Sequence, residues 1–182
     1  SVVDVRNPDA AEKIGSYQTL GRAASGVAVS DNYLFVADGT NGVLVLDITI
    51  PEEPLFFARY RPASAPTFVS VAVDEEMVYA GAESLGVFSL EFDPAASTFS
   101  LAPVSGDSLY RLDHPRGLFV QEDRLLVASG DEGLHSFQVG AGGSLTRLGQ
   151  VLTGGFAMHL EANEEYAFLA DGFNGLVAVD IS

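Results

Sequence analysis

Short runs of apolar residues alternate along the whole chain with turns rich in glycine, acidic residues and asparagine. The fullest example begins at Tyr33 with an apolar stretch, passes through the turn 38–42, and ends with a second apolar stretch at Asp47. Runs of about four to seven residues rich in Val, Leu, Phe and Tyr, bounded by turn residues, are typical of β-strands. Helical spacing with capping residues is absent, because the one candidate, 9–13, is too short. The pattern predicts an all-β protein.

This unit of strand, turn and strand recurs along the chain. Its four copies occupy residues 33–47, 77–91, 124–138 and 166–180. The last position of each turn is a glycine: Gly42, Gly86, Gly133 and Gly175. Successive closing glycines are 44, 47 and 42 residues apart. A period of about 40–50 residues with four short strands is typical of a propeller blade, so we predict a β-propeller of four-stranded antiparallel blades.

The repeat makes the whole chain, 1–182, a single β-propeller domain or segment. Whole blades are predicted at about 24–61, 67–104 and 114–152, with partial blades at 1–19 and 156–182. The fourth strands of the whole blades are predicted at 55–60, 98–101 and 145–151.

The two ends of the chain do not match a closed ring. Residues 2–8 align with 45–51, so the chain begins inside a third strand and stops after another third strand. Two arrangements are open: a closed four-bladed ring in which 13–17 complete the last blade, or a section of a larger propeller. The sequence favours the second arrangement, whose unpaired strand edges at both ends promote association.

Residues 36–48, followed by Pro51-Glu-Glu-Pro54, resemble the LVIVD repeat of bacterial and archaeal surface proteins, and so do residues 169–181. The resemblance covers essentially the whole chain, strongly in these two copies and weakly in the two middle ones. It implies a β-propeller, usually from an exported protein, and therefore an extracellular, periplasmic or cell-surface location. No catalytic residue set belongs to the family, so the resemblance implies none here.

Composition narrows the classes of partner. The 182 residues include 25 Asp and Glu against 9 Lys and Arg, for a formal net charge of −16. A field of this sign repels nucleic acid and anionic membrane surfaces, which leaves proteins as the expected partners. No apolar run reaches the roughly 18 residues that would insert into a bilayer. Cysteine is absent, so disulfides and cysteine metal sites are excluded.

Polar residues before or on the innermost strands form one candidate binding site. Innermost strands line the central channel of a propeller, where ligand sites commonly form. Four residues are expected at the channel mouth: Arg22, His114, Arg116 and His159. Glu161 or Asp113 would lie alongside them. The alternative interpretation, which the sequence favours, is that these are polar residues in a wet channel.

No other constellation points to chemistry. His135 lies among alternating apolar residues and is interpreted as a sheet residue. The oxygen-rich loops 38–42 and 171–175 are too short to encircle Ca²⁺, which takes about six to eight oxygen ligands. No serine occupies a Gly-x-Ser-x-Gly elbow, and no glycine-rich stretch precedes a helix. We predict no catalytic residue, no cofactor and no metal site.

The predicted outer strand of the first whole blade has aromatic residues on both faces. Phe56, Phe57, Arg59, Tyr60 and Arg61 form this run. An outermost strand normally has one wet face, so apolar residues on both suggest a covered edge. The run is either a contact with another protein or part of the packing between blades.

Together these features predict a non-enzymatic protein-interaction or scaffold propeller, exported or at the cell surface. It would bind protein partners through strand edges or loops, as an accessory part of a larger homo- or hetero-assembly. The alternative is a propeller enzyme or ligand-binding protein that uses a polar or metal site in the channel near His114, Arg116 and His159.

Overall fold

The computed structural model describes residues 1–20, 24–96, 101–103 and 109–182. Apart from single 3-10 turns at Pro8–Ala10, Ala141–Gly143 and Gly172–Asn174, the regular elements of these residues are β-strands. Within the same ranges, no helix has the length and apolar character that crossing a bilayer requires.

The strands form five antiparallel sheets, which follow one another along the chain. The N-terminal pair consists of β1 (Val2–Asp4) and β2 (Glu12–Gly15). Blade 1 consists of β3 (Ala24–Ser30), β4 (Tyr33–Asp38), β5 (Val43–Asp47) and β6 (Leu55–Tyr60). Blade 2 consists of β7 (Phe68–Asp74), β8 (Met77–Ala82), β9 (Gly86–Phe92), β10 (Leu101–Pro103) and β11 (Leu109–Tyr110).

Two further sheets complete the described structure. Blade 3 consists of β12 (Pro115–Gln121), β13 (Arg124–Ser129), β14 (Leu134–Val139) and β15 (Leu145–Val151). Blade 4 has three strands, β16 (His159–Ala162), β17 (Tyr166–Ala170) and β18 (Leu176–Asp180). Except for β11, which pairs with β9, strands that follow one another within a blade pair side by side, which is the up-and-down order of a propeller blade. The prediction of an all-β propeller of four-stranded blades is confirmed.

In blade 2 the fourth-strand position is shared by two short strands. Both β10 and β11 pair with β9, at opposite ends of it. Of the fourth strand that the sequence predicts at 98–101, residues 98–100 lie outside the described residues, and Leu101 begins β10.

The hydrophobic core lies between the blades. Blades 1 and 2 pack through a cluster that includes Phe35 and Phe92, whose rings meet edge to face with centroids 5.0 Å apart. Tyr79 and Phe137 belong to the cluster between blades 2 and 3, and Leu160 to the cluster between blades 3 and 4. Because the middle strands of the whole blades are covered on both faces, they are apolar almost throughout rather than alternating.

The fourth strands share an irregular register that also identifies β2. In blade 1, Val45 pairs with Ala58 and Leu46 with Phe56, so that Phe57 is left over in a bulge. The same shift leaves one residue unpaired in β15 of blade 3 and in β2 of the N-terminal pair. Therefore β1 and β2 have the register of a third and a fourth strand.

The described strands form an open arc. β2 pairs with β1 and not with β18, and β18 pairs only with β17 among the described strands. The closed four-bladed ring, in which 13–17 complete the last blade, is therefore not formed. The last blade lacks a fourth strand, and the N-terminal pair lacks the two inner strands.

In blades 1 to 3, the closing glycine of the turn lies where the end of the fourth strand passes. A Cβ on Gly42 would overlap the carbonyl oxygen of Tyr60, and one on Gly86 would overlap that of Tyr110. The corresponding glycine of blade 3 faces a fourth-strand carbonyl in the same way, whereas a Cβ on Gly175 of blade 4 would meet nothing within 4 Å. Close approach of the fourth strand thus explains why the repeat ends its turn with glycine.

Replacing Gly86 with alanine is expected to destabilise the fold strongly. Its φ of 126° is a conformation that only glycine adopts readily, and the new methyl group would collide with a backbone carbonyl. We expect the free energy of unfolding to fall by about 3 kcal/mol. Gly149→Ala is the matched control, because its Cβ meets nothing within 4 Å and its φ is not positive. Equal losses for the two variants in urea denaturation would contradict the close-approach argument.

Candidate functional site

The innermost strands of the blades, β3, β7, β12 and β16, line an open cavity of about 420 Å³. Their spacing depends on small residues, since a Cβ on Gly26 would lie 3.0 Å from Ser70 Cα, and one on Gly117 would lie 2.9 Å from His159 Cα. Arg116 and His159, two of the residues predicted at the channel, line this cavity.

Arg116 is bound by neighbouring side chains. Its guanidinium Nη2 donates a hydrogen bond to Glu83 Oε1 at 2.5 Å, and both side chains are about one third exposed. The guanidinium carbon also lies 6.0 Å from the centroid of the Phe156 ring. Because Glu83 neutralises the charge of Arg116, this part of the cavity does not present a free cation.

The other predicted channel residues are only partly brought together. His114 packs its ring against Phe156, with centroids 5.6 Å apart, but is not part of the cavity wall. His159 Nε2 lies 3.8 Å from Glu161 Oε1, and both side chains are well exposed. Arg22 lies outside the described residues. Ligand binding by this group stays a prediction.

A metal ion would need several donor side chains that converge. Within the described ranges, no three His, Asp or Glu side chains lie close enough together to hold an ion. Asp171 of the last turn is fully buried, and its carboxylate accepts hydrogen bonds from Thr153 Oγ1 and Asn174 Nδ2. These bonds tie the turn to the segment that enters blade 4, a structural use of an aspartate.

The predicted interface run on β6 divides into two groups. Phe57 and Tyr60 turn inward, and their rings pack against Phe92 and Phe88 of blade 2. Phe56 is 55% exposed, and the guanidinium carbon of Arg59 lies 5.9 Å from its ring centroid. Arg61 is exposed. The first group belongs to packing between blades, so only the second group is available to a partner.

We define the forward face of each blade as the face turned toward the next blade along the chain. This face has two apolar positions, one on the second strand and one on the third. In blades 1 to 3 these are Phe35 and Val43, Tyr79 and Val87, and Leu126 and Leu134, all at most 2% exposed. The equivalent residues of blade 4, Phe168 and Leu176, are 41% and 74% exposed. The forward face of blade 4 is therefore an apolar surface that no described residue covers fully.

We define the backward face of each blade as the face turned toward the preceding blade. On this face the exposed copy of the repeat is in blade 1 rather than in blade 4. Val27 on the innermost strand of blade 1 is 65% exposed, whereas its equivalents in later blades are buried: Val71, Leu118 and Leu160. Tyr17 packs against this face at the second and third strands of blade 1, where Val36, Leu44 and Leu46 are at most 4% exposed. The backward face of blade 1 is thus uncovered only at its innermost strand, whereas the forward face of blade 4 is uncovered more widely.

Sequence reasoning predicted unpaired strand edges at both ends of the chain but missed these two faces. The sequence does show that Val27 and Leu176 occupy repeat positions that are apolar in every blade. It does not show which copies are exposed, since the exposure of a side chain depends on whether a neighbouring blade covers it.

Comparison with known proteins assigns the repeat. The LVIVD repeat model matches residues 21–61 and 154–182. The chain carries LVIVD repeats. Among curated proteins, none matches this sequence significantly.

Solved structures superpose on this LVIVD-repeat chain at low sequence identity. BamB from Moraxella catarrhalis gives a TM-score of 0.62 at 13% identity, over 87% of this chain and 47% of that one. A protein from Bacteroides thetaiotaomicron gives 0.64 at 14% identity, over 93% and 50%. The computationally designed Ika4 protein gives 0.63 at 12% identity, over 94% and 99%. The likeness shows the fold alone, and the LVIVD-repeat chain spans about half the length of the two natural proteins.

His135 is buried on β14, with its Nε2 3.4 Å from Glu132 Oε2. Neither ring nitrogen forms a hydrogen bond with another described residue. Burial lowers the pKa of His135 below its ordinary 6.5, while the nearby Glu132 carboxylate opposes this shift. The neutral ring is therefore the form that the folded chain favours, as expected for a sheet residue.

Acidification is expected to destabilise the fold through His135. Near and below pH 6.5, the unfolded chain binds a proton at His135 more readily than the folded chain does. The free energy of unfolding therefore decreases as the pH falls below 6.5, by at most about 1.4 kcal/mol per pH unit. His135→Phe should reduce the loss, measured by urea denaturation at pH 7.5 and 5.5, whereas the exposed control His159→Gln should retain it. If His135→Phe loses as much stability between pH 7.5 and 5.5 as the wild type, the assignment of this pH dependence to His135 is wrong.

Proposed function

We propose that this chain is a non-enzymatic protein-interaction scaffold that works as part of a larger assembly. The observation that carries the proposal is the apolar surface that the described residues leave uncovered on blade 4 and on the innermost strand of blade 1. Phe168 and Leu176 at one end, and Val27 at the other, are exposed at positions that are buried everywhere else in the repeat. Exposed apolar surface of this kind, next to unpaired strand edges, favours association with another protein.

The charges of the chain support the same proposal. Among the described residues of the cavity wall, Arg116 is paired with Glu83, which neutralises its charge. The net charge of −16 disfavours nucleic acid and anionic lipid as partners. The LVIVD repeats support an exported or cell-surface location, where an accessory subunit of this kind would act.

A ligand-binding or enzymatic role in the channel is the second candidate. The cavity of about 420 Å³ is large enough for a small molecule, and Arg116, His159 and Glu161 give it a polar wall. Its openness to solvent and the pairing of Arg116 make it the weaker candidate, because binding sites usually enclose most of the ligand surface.

The scaffold proposal predicts complexes that depend on the open faces. A tagged chain recovered from the cells that produce it should be found in particles heavier than one chain, as measured by native mass spectrometry. Leu176→Arg should reduce their abundance at least tenfold. Leu152→Arg is the matched control, because Leu152 is also 71% exposed but lies at the outer rim of blade 3. The same abundance in wild type and Leu176→Arg would contradict the proposal.

A further inference from the structure

We propose that a cavity between blades 2 and 3 binds an organic cation, whose guanidinium or ammonium group is carried by a small molecule or by a side chain of a partner protein. The cavity has a volume of about 340 Å³ and is lined by other residues than the channel cavity. Its wall contains four carboxylates, those of Asp74, Glu75, Glu76 and Glu91. The inference goes beyond the proposed function, because it does not depend on the uncovered surfaces of blades 1 and 4.

An equivalent cavity recurs in the other contacts between blades. Between blades 2 and 3, it forms where the first strand of blade 2 turns into the second, at residues 74–79. Repeat alignment places these residues level with 30–35 of blade 1 and 121–126 of blade 3. Residues of those two ranges line cavities of about 550 and 370 Å³. The three cavities are therefore copies of one feature of the repeat, and their walls can be compared position by position.

The cavity between blades 3 and 4 contains a cation that the chain itself supplies. Arg124 lines this cavity together with Glu122 and Asp123. The guanidinium group of Arg124 donates a hydrogen bond to the backbone carbonyl of Ile181. A guanidinium group therefore fits this cavity of the repeat, beside carboxylates. Between blades 2 and 3, the position of Arg124 is taken by Met77, which carries no charge.

The four carboxylates between blades 2 and 3 have no cationic partner among the described residues, since none of them forms an ion pair there. Like charges that line one cavity repel one another, and a bound cation removes this repulsion. In the described part of the chain, no three such side chains converge as a metal ion requires. A guanidinium or ammonium group has several N–H donors that point in different directions, and these can reach carboxylates that do not converge.

Tyr79 is a second, independent sign of a ligand in this cavity. It occupies the repeat position of Phe35 in blade 1 and Leu126 in blade 3, so packing between blades does not require its hydroxyl group. The Tyr79 side chain is 1% exposed and lines the cavity, yet its hydroxyl group forms no hydrogen bond with a described residue. Because a polar group removed from water without a partner costs free energy, a ligand that supplies the partner is bound more tightly.

The chemistry of the cavity wall suits a cation on a methylene chain. Burial and the carboxylate of Asp74 raise the pKa of Tyr79 to about 12, so the phenol stays neutral. Its oxygen can accept a hydrogen bond from an N–H group of the ligand. Met77 and Val139 form an apolar part of the same wall. A methylene chain would lie on these two residues and place its charged head group among the carboxylates.

The first test titrates the purified chain with two probes by calorimetry, at about 0.15 M salt so that attraction between distant charges is screened. One probe is agmatine, a free molecule with a guanidinium group on a methylene chain, and the other is the peptide Gly-Arg-Gly with both ends blocked. We expect saturable binding. Tighter binding of agmatine would identify a small molecule as the source of the cation, and tighter binding of the peptide would identify a side chain of a partner protein. If neither probe binds saturably, the proposal is wrong.

The second test changes the cavity wall. Tyr79→Phe removes the hydroxyl group but keeps the ring that blade 1 has at this position, and it should weaken binding about tenfold through the lost hydrogen bond. Met77→Arg gives the cavity its own cation, as Arg124 does between blades 3 and 4, and should weaken binding at least tenfold. Leu55→Arg is the matched control, because it makes the same change in charge at a side chain that is 65% exposed and lies outside the cavity wall. It should change the affinity by less than about twofold.

Two results with these variants would also overturn the proposal. Equal losses of affinity for Met77→Arg and Leu55→Arg would mean that the probes respond only to the net charge of −16. An unchanged affinity in Tyr79→Phe would mean that they bind elsewhere. The proposed function is tested separately, because the heavier particles are counted with Leu176→Arg, a change outside this cavity. A chain that enters such particles but binds neither probe would reject the cation site alone.

Discussion

The structure depends on one constraint: a propeller blade is apolar on both faces and can bury them only against other blades. The middle strands of blades 1 to 3 show the result, with Phe35, Tyr79 and Leu126 almost completely removed from water. A surface helix or a half-buried sheet needs one partner, whereas a blade needs two. An arc of blades therefore always has an uncovered face at each end, unless the ring closes or another molecule covers it.

The second constraint concerns the path of the fourth strand. Its last carbonyl passes so close to the turn that no side chain fits at Gly42 or Gly86. The same strand carries a bulge, which leaves Phe57 free to reach across and pack against Phe92 of the next blade. One strand thus closes its own blade and contributes to the neighbouring contact. Among the described strands, blade 4 has no fourth strand, and a Cβ on its Gly175 would meet nothing within 4 Å.

The channel and the end faces differ in what they offer a partner. In the channel, Arg116 is held by Glu83, and His159 has one nearby carboxylate, so the polar groups are largely occupied with one another. The end faces consist of apolar side chains beside a free strand edge, where association buries area and forms backbone hydrogen bonds together. This contrast supports the proposed role in assembly, and the net charge of −16 disfavours polyanions as partners.

The amino-acid sequence by itself determined the all-β fold and the blade period, because strand alternation, turn glycines and repeat spacing are local properties of the chain. It also placed Arg116 and His159 at the channel, since repeat alignment gives each residue its strand. Only the tertiary structure decided that Phe57 is packed while Phe56 is exposed, and that Glu83 pairs with Arg116. It alone distinguished Leu176 from its buried equivalents. The physical reason is that exposure and pairing depend on which blade lies opposite, and no property of one strand contains that information.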